Sequence, residues 1–261
     1  AYEISTRDWS SDVCSSDLAL IRALPAGLLL LAVTRRLPFG VWWGRVAVLG
    51  ALNFSIFWAC LFVSAYRLPG GVAATLGAIQ PLLVLGLQRL IVGTAIRPRH
   101  VAIGLVGMLG VALLVLTPAA ALDPIGIAAG LLGALAMALG SVLTRHWQPP
   151  VSPLTFTAWQ LVAGGLLLAP MAFAVEPPLP PLGLGHVLGL AYLGLIGAAA
   201  TYFLWFRGLA KIGPVKVAPL GFLSPVTAVG LGVAVLGQVP TPLQGVGMVL
   251  VLASVAANAR G

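Results

Sequence analysis

Residues 71–87, GVAATLGAIQPLLVLGL, carry two polar side chains, Thr75 and Gln80, and the second stands directly before Pro81 in the middle of an apolar run. Residues 215–231, VKVAPLGFLSPVTAVGL, lie 144 positions further on and repeat the pattern, with Gly221 for Gly77, Ser224 for Gln80 and Pro225 for Pro81. About 20 apolar residues cross a bilayer as a helix, and a proline inside one removes an amide donor and frees a carbonyl. Both stretches therefore read as kinked membrane-spanning helices related by an internal repeat.

The same offset pairs Trp58 with Tyr202, Phe62 with Phe206, Arg67 with Lys211, Gly93 with Gly237 and Pro98 with Pro242, without a gap. Composition agrees with a membrane protein. The 261 residues are 60% hydrophobic and 8% charged, with mean hydropathy +1.06, whereas soluble domains carry about 25% charged residues. A soluble enzyme is excluded. Apolar runs predict nine helices, at about 19–34, 45–66, 71–92, 100–117, 124–144, 153–175, 185–207, 214–236 and 241–258. The expected fold is an all-α membrane protein, a polytopic bundle of two repeats at 19–117 and 123–258. The second repeat has five helices and the first has four. An odd number per half turns the second half over in the membrane, so the natural protein is expected to have ten helices in two inverted halves.

The partner of helix 124–144 would fall before residue 19. That region differs from the rest, because Glu3, Asp8, Asp12 and Asp17 are four of the six acidic residues, the others being Asp123 and Glu176. Residues 7–18, RDWSSDVCSSDL, have neither the basic and apolar regions of a signal peptide nor the spacing of an amphipathic anchor. From Asp8 to Leu18 they resemble the translation of a common short-read sequencing adapter. Residues 1–18 are accordingly read as non-native, standing where a first helix is expected.

Alternate linkers hold Arg35, Arg36 and Arg45, then Arg97 and Arg99, then Arg145, then Arg207, Lys211 and Lys216, and finally Arg260. The positive-inside rule makes that set, and the C-terminus, cytoplasmic. The basic excess therefore reads as membrane topology rather than nucleic-acid binding. High Ala, Leu, Gly and Arg usage points to a GC-rich bacterial source, and so to the inner membrane. Two cysteines, Cys14 and Cys60, support neither a disulfide framework nor a metal site. Motifs for nucleotide hydrolysis and for metal-dependent intramembrane proteolysis are absent, and no cofactor is implied.

Polar groups inside spans are the informative ones, since they are costly there. Neither Asp123 nor Glu176 lies in a predicted span, and His100, His146 and His186 sit at loop ends, where interfacial histidines are common. Arg22 is near the start of a span, where snorkelling and binding of an anionic group are both open; Arg89, near a helix end, reads as snorkelling. The candidate substrate-binding residues are Asn53, Trp58, Thr75 and Gln80 in the first half, and Trp159, Tyr202, Trp205 and Ser224 in the second; Gln160 is a further polar position within a span. Pro81 and Pro225 are the candidate hinges, and the two kinked helices are where a substrate site is expected. Each could instead serve helix packing or an interfacial aromatic belt. GLVGMLG (104–110) and GVGMVLVLAS (245–254) suit helix packing or homodimer contact.

Three stretches, RALPAGLLLLAVTRRLPFGVWW (22–43), AYRLPGGVAATLGAIQPLLVLGL (65–87) and the run from Gly208 to Ser254, resemble the EamA-type transporters of the drug/metabolite transporter superfamily. The resemblance covers residues 19–258. It implies a secondary carrier, often an exporter of amino acids or related metabolites, whose first four helices in each half surround the cavity. Its partners would be the lipid bilayer and a small-molecule substrate. Members usually have an acidic residue in a turn after each kinked helix; here those turns read Gly93-Thr94 and Gly237-Gln238. The alternatives are a nucleotide-sugar or other anionic-metabolite carrier, for which Arg22 is the available basic residue, and a polytopic membrane enzyme or scaffold.

Overall fold

A computed structural model describes residues 15–115, 123–175, 183–237 and 239–260. The adapter-like run up to residue 14, Glu176, Gln238 and the side chain of His186 lie outside the described residues. Eight helices are long and apolar enough to cross a membrane. They follow a shorter apolar helix, α1 (Leu20–Thr34), and are α2 (Trp42–Arg67), α3 (Val72–Val92), α4 (Pro98–Val115), α5 (Pro124–Trp147), α6 (Pro153–Pro170), α7 (Val187–Ile212), α8 (Pro214–Val235) and α9 (Pro242–Ala259). The expected all-helical, multi-pass architecture is what the chain adopts.

Local chemistry sets the helix ends. Proline opens α4, α5, α6, α8 and α9, where its missing N–H costs nothing and its φ is already helical. Asp123 Oδ1 accepts from Gly126 N at 2.7 Å and Ser152 Oγ from Thr155 N at 3.2 Å, capping α5 and α6. Thr241 and Gln244 form a reciprocal capping box on α9. Gly93 (φ 76°) and Gly237 (φ 64°) end α3 and α8 in the left-handed conformation that glycine adopts without strain.

The 144-residue offset recurs in the backbone. Two π-helical stretches, Ala51–Ile56 in α2 and Leu195–Ala200 in α7, are equivalent under it. So are the bounds of α4 and α9, and the left-handed glycines. Coincidence in apolar composition would not reproduce a rare wide helical turn at one register.

The chain divides into two compact units, Ala1–Ala59 with Trp147–Ala210, and Cys60–His146 with Lys211–Gly261. In the first unit α6 is central, packed by α1, the start of α2 and its π-helical stretch. Lipid supplies no hydrophobic drive between helices, so close approach through small residues does the holding. A Cβ at Gly164 would lie 2.5 Å from Phe54 Cβ and 3.1 Å from Gly50 O, so α6 and α2 nearly touch backbone to backbone there. In the second unit α4 is central, against α9, α3 and α8. A Cβ at Gly247 would lie 2.7 Å from Gly110 O, and Ser254 Oγ donates to Ile103 O at 2.8 Å. The two glycine-rich stretches singled out in the sequence thus pack against each other. Val84, Ala138, Val142 and Ala218 join α3, α5 and α8 in a separate apolar cluster.

Candidate functional site

Four helices build a buried polar and aromatic cluster in the first unit. The π-helical turn of α2 carries Asn53, whose Nδ2 donates to Gln160 Oε1 on α6 at 2.7 Å. Both residues are fully buried, yet Asn53 Oδ1 and Gln160 Nε2 have no hydrogen-bond partner. An amide left half-satisfied in a low-dielectric interior costs free energy, on the order of 1–3 kcal/mol for each unpaired group.

Just beyond the π-helical turns, Trp58 Nε1 donates to Tyr202 Oη at 3.2 Å. Phe54 fills the space beside both, with ring centroids 5.4 Å from Trp58 and 4.4 Å from Tyr202, and Phe206 and Phe156 extend the cluster. Arg22 of α1 lays its guanidinium over the Trp58 ring, 5.1 Å from the centroid. A cation there is attracted by the ring quadrupole, more strongly once water is excluded. A Cβ at Gly197 would lie 3.6 Å from Arg22 Nη2, so the π-helical turn of α7 passes beside the charge. Arg22 Nε is buried without a hydrogen-bond partner. Among the described side chains the one carboxylate is Asp123, whose Oδ2 sits 3.4 Å from Arg67 Nη1. No described carboxylate therefore neutralises Arg22.

Trp205, one turn along α7 from Tyr202, has a buried indole N–H with no partner. Trp159 differs, because it donates to Arg36 O at 2.6 Å and meets Phe39 edge-on. Its donor ties down the α1–α2 linker.

In the second unit α3 breaks before Pro81. The helical segments are Gly70–Gly77 and Gln80–Leu87, and the junction tightens to Ala78 N to Thr75 O at 3.1 Å and Ile79 N to Leu76 O at 3.2 Å. Thr75 is half-buried in that turn, and Gln80 Nε2 is buried without a partner. The equivalent part of α8 is a 3-10 turn, Ala218–Phe222, leading into Leu223–Leu236, with Pro225 in its first turn. Ser224 is exposed. Both prolines thus sit at the start of a new helical segment, where a missing amide is tolerated.

Sequence reasoning missed three buried hydroxyls of this unit, Ser64, Ser141 and Thr144, none with a side-chain hydrogen-bond partner. Ser141 and Thr144 stand three apart on α5, and that spacing within an apolar run was the available signal.

A bundle that crosses the bilayer repeatedly and keeps unsatisfied amides, an indole and a guanidinium inside it belongs to the class of polytopic membrane proteins with a polar interior. The chain belongs to the EamA-like transporter family, which matches residues 5–116 and again 124–260, and it is a membrane transporter. It is 41% identical over 238 residues to Protein PecM of Dickeya dadantii, covering 90% of this chain and 80% of that protein. It is 23% identical over 210 residues to a Streptantibioticus cattleyicolor protein named "Probable terminal-alkyne amino-acid exporter", covering 80% and 71%. A crystal structure superposes with TM-score 0.80 at 22% identity, covering 94% of this chain and 87% of that one; this likeness shows the fold.

Proposed function

We propose that the protein exports a small polar metabolite such as an amino acid by alternating access, through two inverted repeats, from a bacterial inner membrane with its C-terminus in the cytoplasm. The observation that carries the reading is the cluster of Asn53, Gln160, Trp58 and Tyr202, with buried polar atoms left unpaired at membrane depth. A substrate supplies the missing hydrogen bonds, Trp58, Tyr202 and Trp205 pack against it, and Asn53 orients it. In the second unit Gln80, Thr75 and Ser224 flank the breaks at Pro81 and Pro225, which act as hinges. The exporter name of one relative agrees with the direction.

Arg22 favours a narrower form of the reading, in which the substrate bears an anionic group such as a carboxylate. Its charge lies against Trp58 with no described carboxylate to neutralise it.

The test is transport of a panel of labelled amino acids by the protein in liposomes. Gln80→Ala should lower transport while membrane insertion and thermal midpoint stay near wild type. Unchanged transport by a folded Gln80→Ala protein would remove that residue from the mechanism, and no transport of any panel member by the wild type would overturn the substrate class.

A further inference from the structure

A cleft of about 240 Å³ in the second unit shares no residue with the polar cluster described above. Three pieces of chain meet in it: the end of α3 with Gln88 and Thr94, the start of α4 with Arg97 and His100, and the α7–α8 junction with Lys216. We infer that this cleft binds a phosphate group, carried by an anionic lipid headgroup or by a free phosphate.

Charge is the first reason. Arg97 and Lys216 bring two permanent positive charges to one concave space, and no described carboxylate lines it. Like charges held together beside apolar walls raise the local potential and draw in an anion. Two nearby groups that could have shared that duty are committed elsewhere, for Arg99 Nη2 donates to Ala257 O at 2.7 Å and Arg89 Nη1 to Gly93 O at 3.2 Å.

Donor chemistry is the second. The planar fork of Arg97 suits the tetrahedral oxygens of a phosphate, and the ammonium of Lys216 serves as a point charge. The frame beneath them is fixed. Asn258 Nδ2 donates to Lys216 O at 2.8 Å, and Thr94 Oγ1 reaches Gln88 O at 3.2 Å over a buried Gln88.

Position is the third. The cleft collects the ends of α3 and α4 and the α7–α8 junction, all on the linker set that holds most of the Arg and Lys. Basic pockets between helix ends at that level meet anionic headgroups. Ile96 and Ile212, on the cleft wall, and nearby Leu90 are all exposed, which leaves an apolar path for an acyl chain. The inference stands independently of the transport reading.

The experiment uses the full chain in neutral detergent with two probes. Native mass spectrometry follows phosphatidylglycerol against phosphatidylcholine, and thermal unfolding follows inorganic phosphate against chloride at matched ionic strength. Wild type should retain phosphatidylglycerol preferentially or rise in midpoint with phosphate. Arg97→Gln with Lys216→Gln should weaken the response at least about tenfold. Ala95→Glu, which sets a carboxylate at the exposed Ala95 of the cleft lining and keeps the Thr94 bond, should do the same while leaving the fold intact. Arg35→Gln with Arg36→Gln, in another basic linker, should respond as wild type. A response to lipid alone assigns a headgroup, and one to inorganic phosphate alone assigns a free anion. No response to either probe, or responses in Ala95→Glu and the double variant equal to wild type, would overturn the inference.

Discussion

Trp58 and Tyr202 are joined by an indole-to-phenol hydrogen bond of 3.2 Å, and they stand 144 residues apart, the offset at which the two halves of the chain align. The π-helical turns Ala51–Ile56 and Leu195–Ala200 lead directly into this pair, so each half delivers its aromatic residue from the same irregularity. A π-helical turn widens the helix and shifts the side chains after it, which is why such turns gather at functional sites. Thr201 Oγ1 donates to Ile196 O at 2.8 Å, five residues back, and takes up a carbonyl of the widened turn.

Tyr202→Phe removes the acceptor and leaves the Trp58 N–H buried and unpaired, at a cost of about 1–3 kcal/mol. Trp58→Phe removes the donor and also the surface on which Arg22 rests, so it should cost more. Because the two residues share one bond, the double variant should be less destabilised than the sum of the singles. Thermal midpoints of the four proteins complete the cycle, and strict additivity would mean that the bond contributes nothing.

Most of the fold was legible because helix length and helix punctuation are both written locally. The run predicted at 153–175 is the helix Pro153–Val175, and 71–92 ends at Val92 before Gly93, since proline and glycine mark those ends. The run predicted at 45–66 begins three residues earlier, at Trp42, because the PFG stretch before it turns sharply, with Gly40 at φ 52°. The π-helical turns had no signal of their own, for ALNFSI and LIGAAA are ordinary apolar hexamers. Trp159 stood out as an aromatic residue beside Gln160, but nothing local tells that its N–H reaches Arg36, 123 residues away. The basic cleft was invisible for the same reason, being assembled from residues between Leu85 and Lys216 that only tertiary packing gathers.

Arg22→Gln keeps a hydrogen-bonding side chain over Trp58 but removes the charge, and Arg22→Lys keeps the charge without the planar fork. If the substrate carries a carboxylate, both variants should lose transport, Gln by roughly tenfold or more and Lys by less. Transport of an esterified analogue, which lacks the carboxylate charge, should change little. Equal loss for the acid and the ester would mean that Arg22 supports packing rather than recognition.

Gly247→Ala tests the crossing of α4 and α9. The added methyl would lie 2.7 Å from Gly110 O and 2.9 Å from Leu114 N, both backbone atoms that can yield only if the helices move apart. Overpacking of this kind costs about 1–3 kcal/mol. Gly245→Ala on the same helix meets nothing within 4 Å and should be neutral or slightly stabilising, since alanine is the better helix former. Comparable midpoints for the two variants would contradict the close crossing.

Asp123 gives the helix-cap interaction a pH signature. Its carboxyl is held below the ordinary carboxylate range chiefly by the Gly126 N–H, with further help from Arg67, against a smaller opposing effect of desolvation. A folded-state value below the unfolded one means that the unfolded chain binds the proton more readily. The contribution is therefore fully present above the unfolded value of about 4 and is lost as pH falls through the lowered native value. Asp123→Asn keeps an oxygen that can accept from Gly126 N but cannot titrate, so α5 stays capped at every pH. The exposed ion pair with Arg67 adds little at neutral pH, so the variant should unfold close to wild type there. As pH falls below about 4 the wild-type midpoint should fall more steeply than that of Asp123→Asn, because the protonated wild-type cap loses its charge-assisted bond. Parallel decline of the two proteins over that range would mean that Asp123 does not couple its proton to folding.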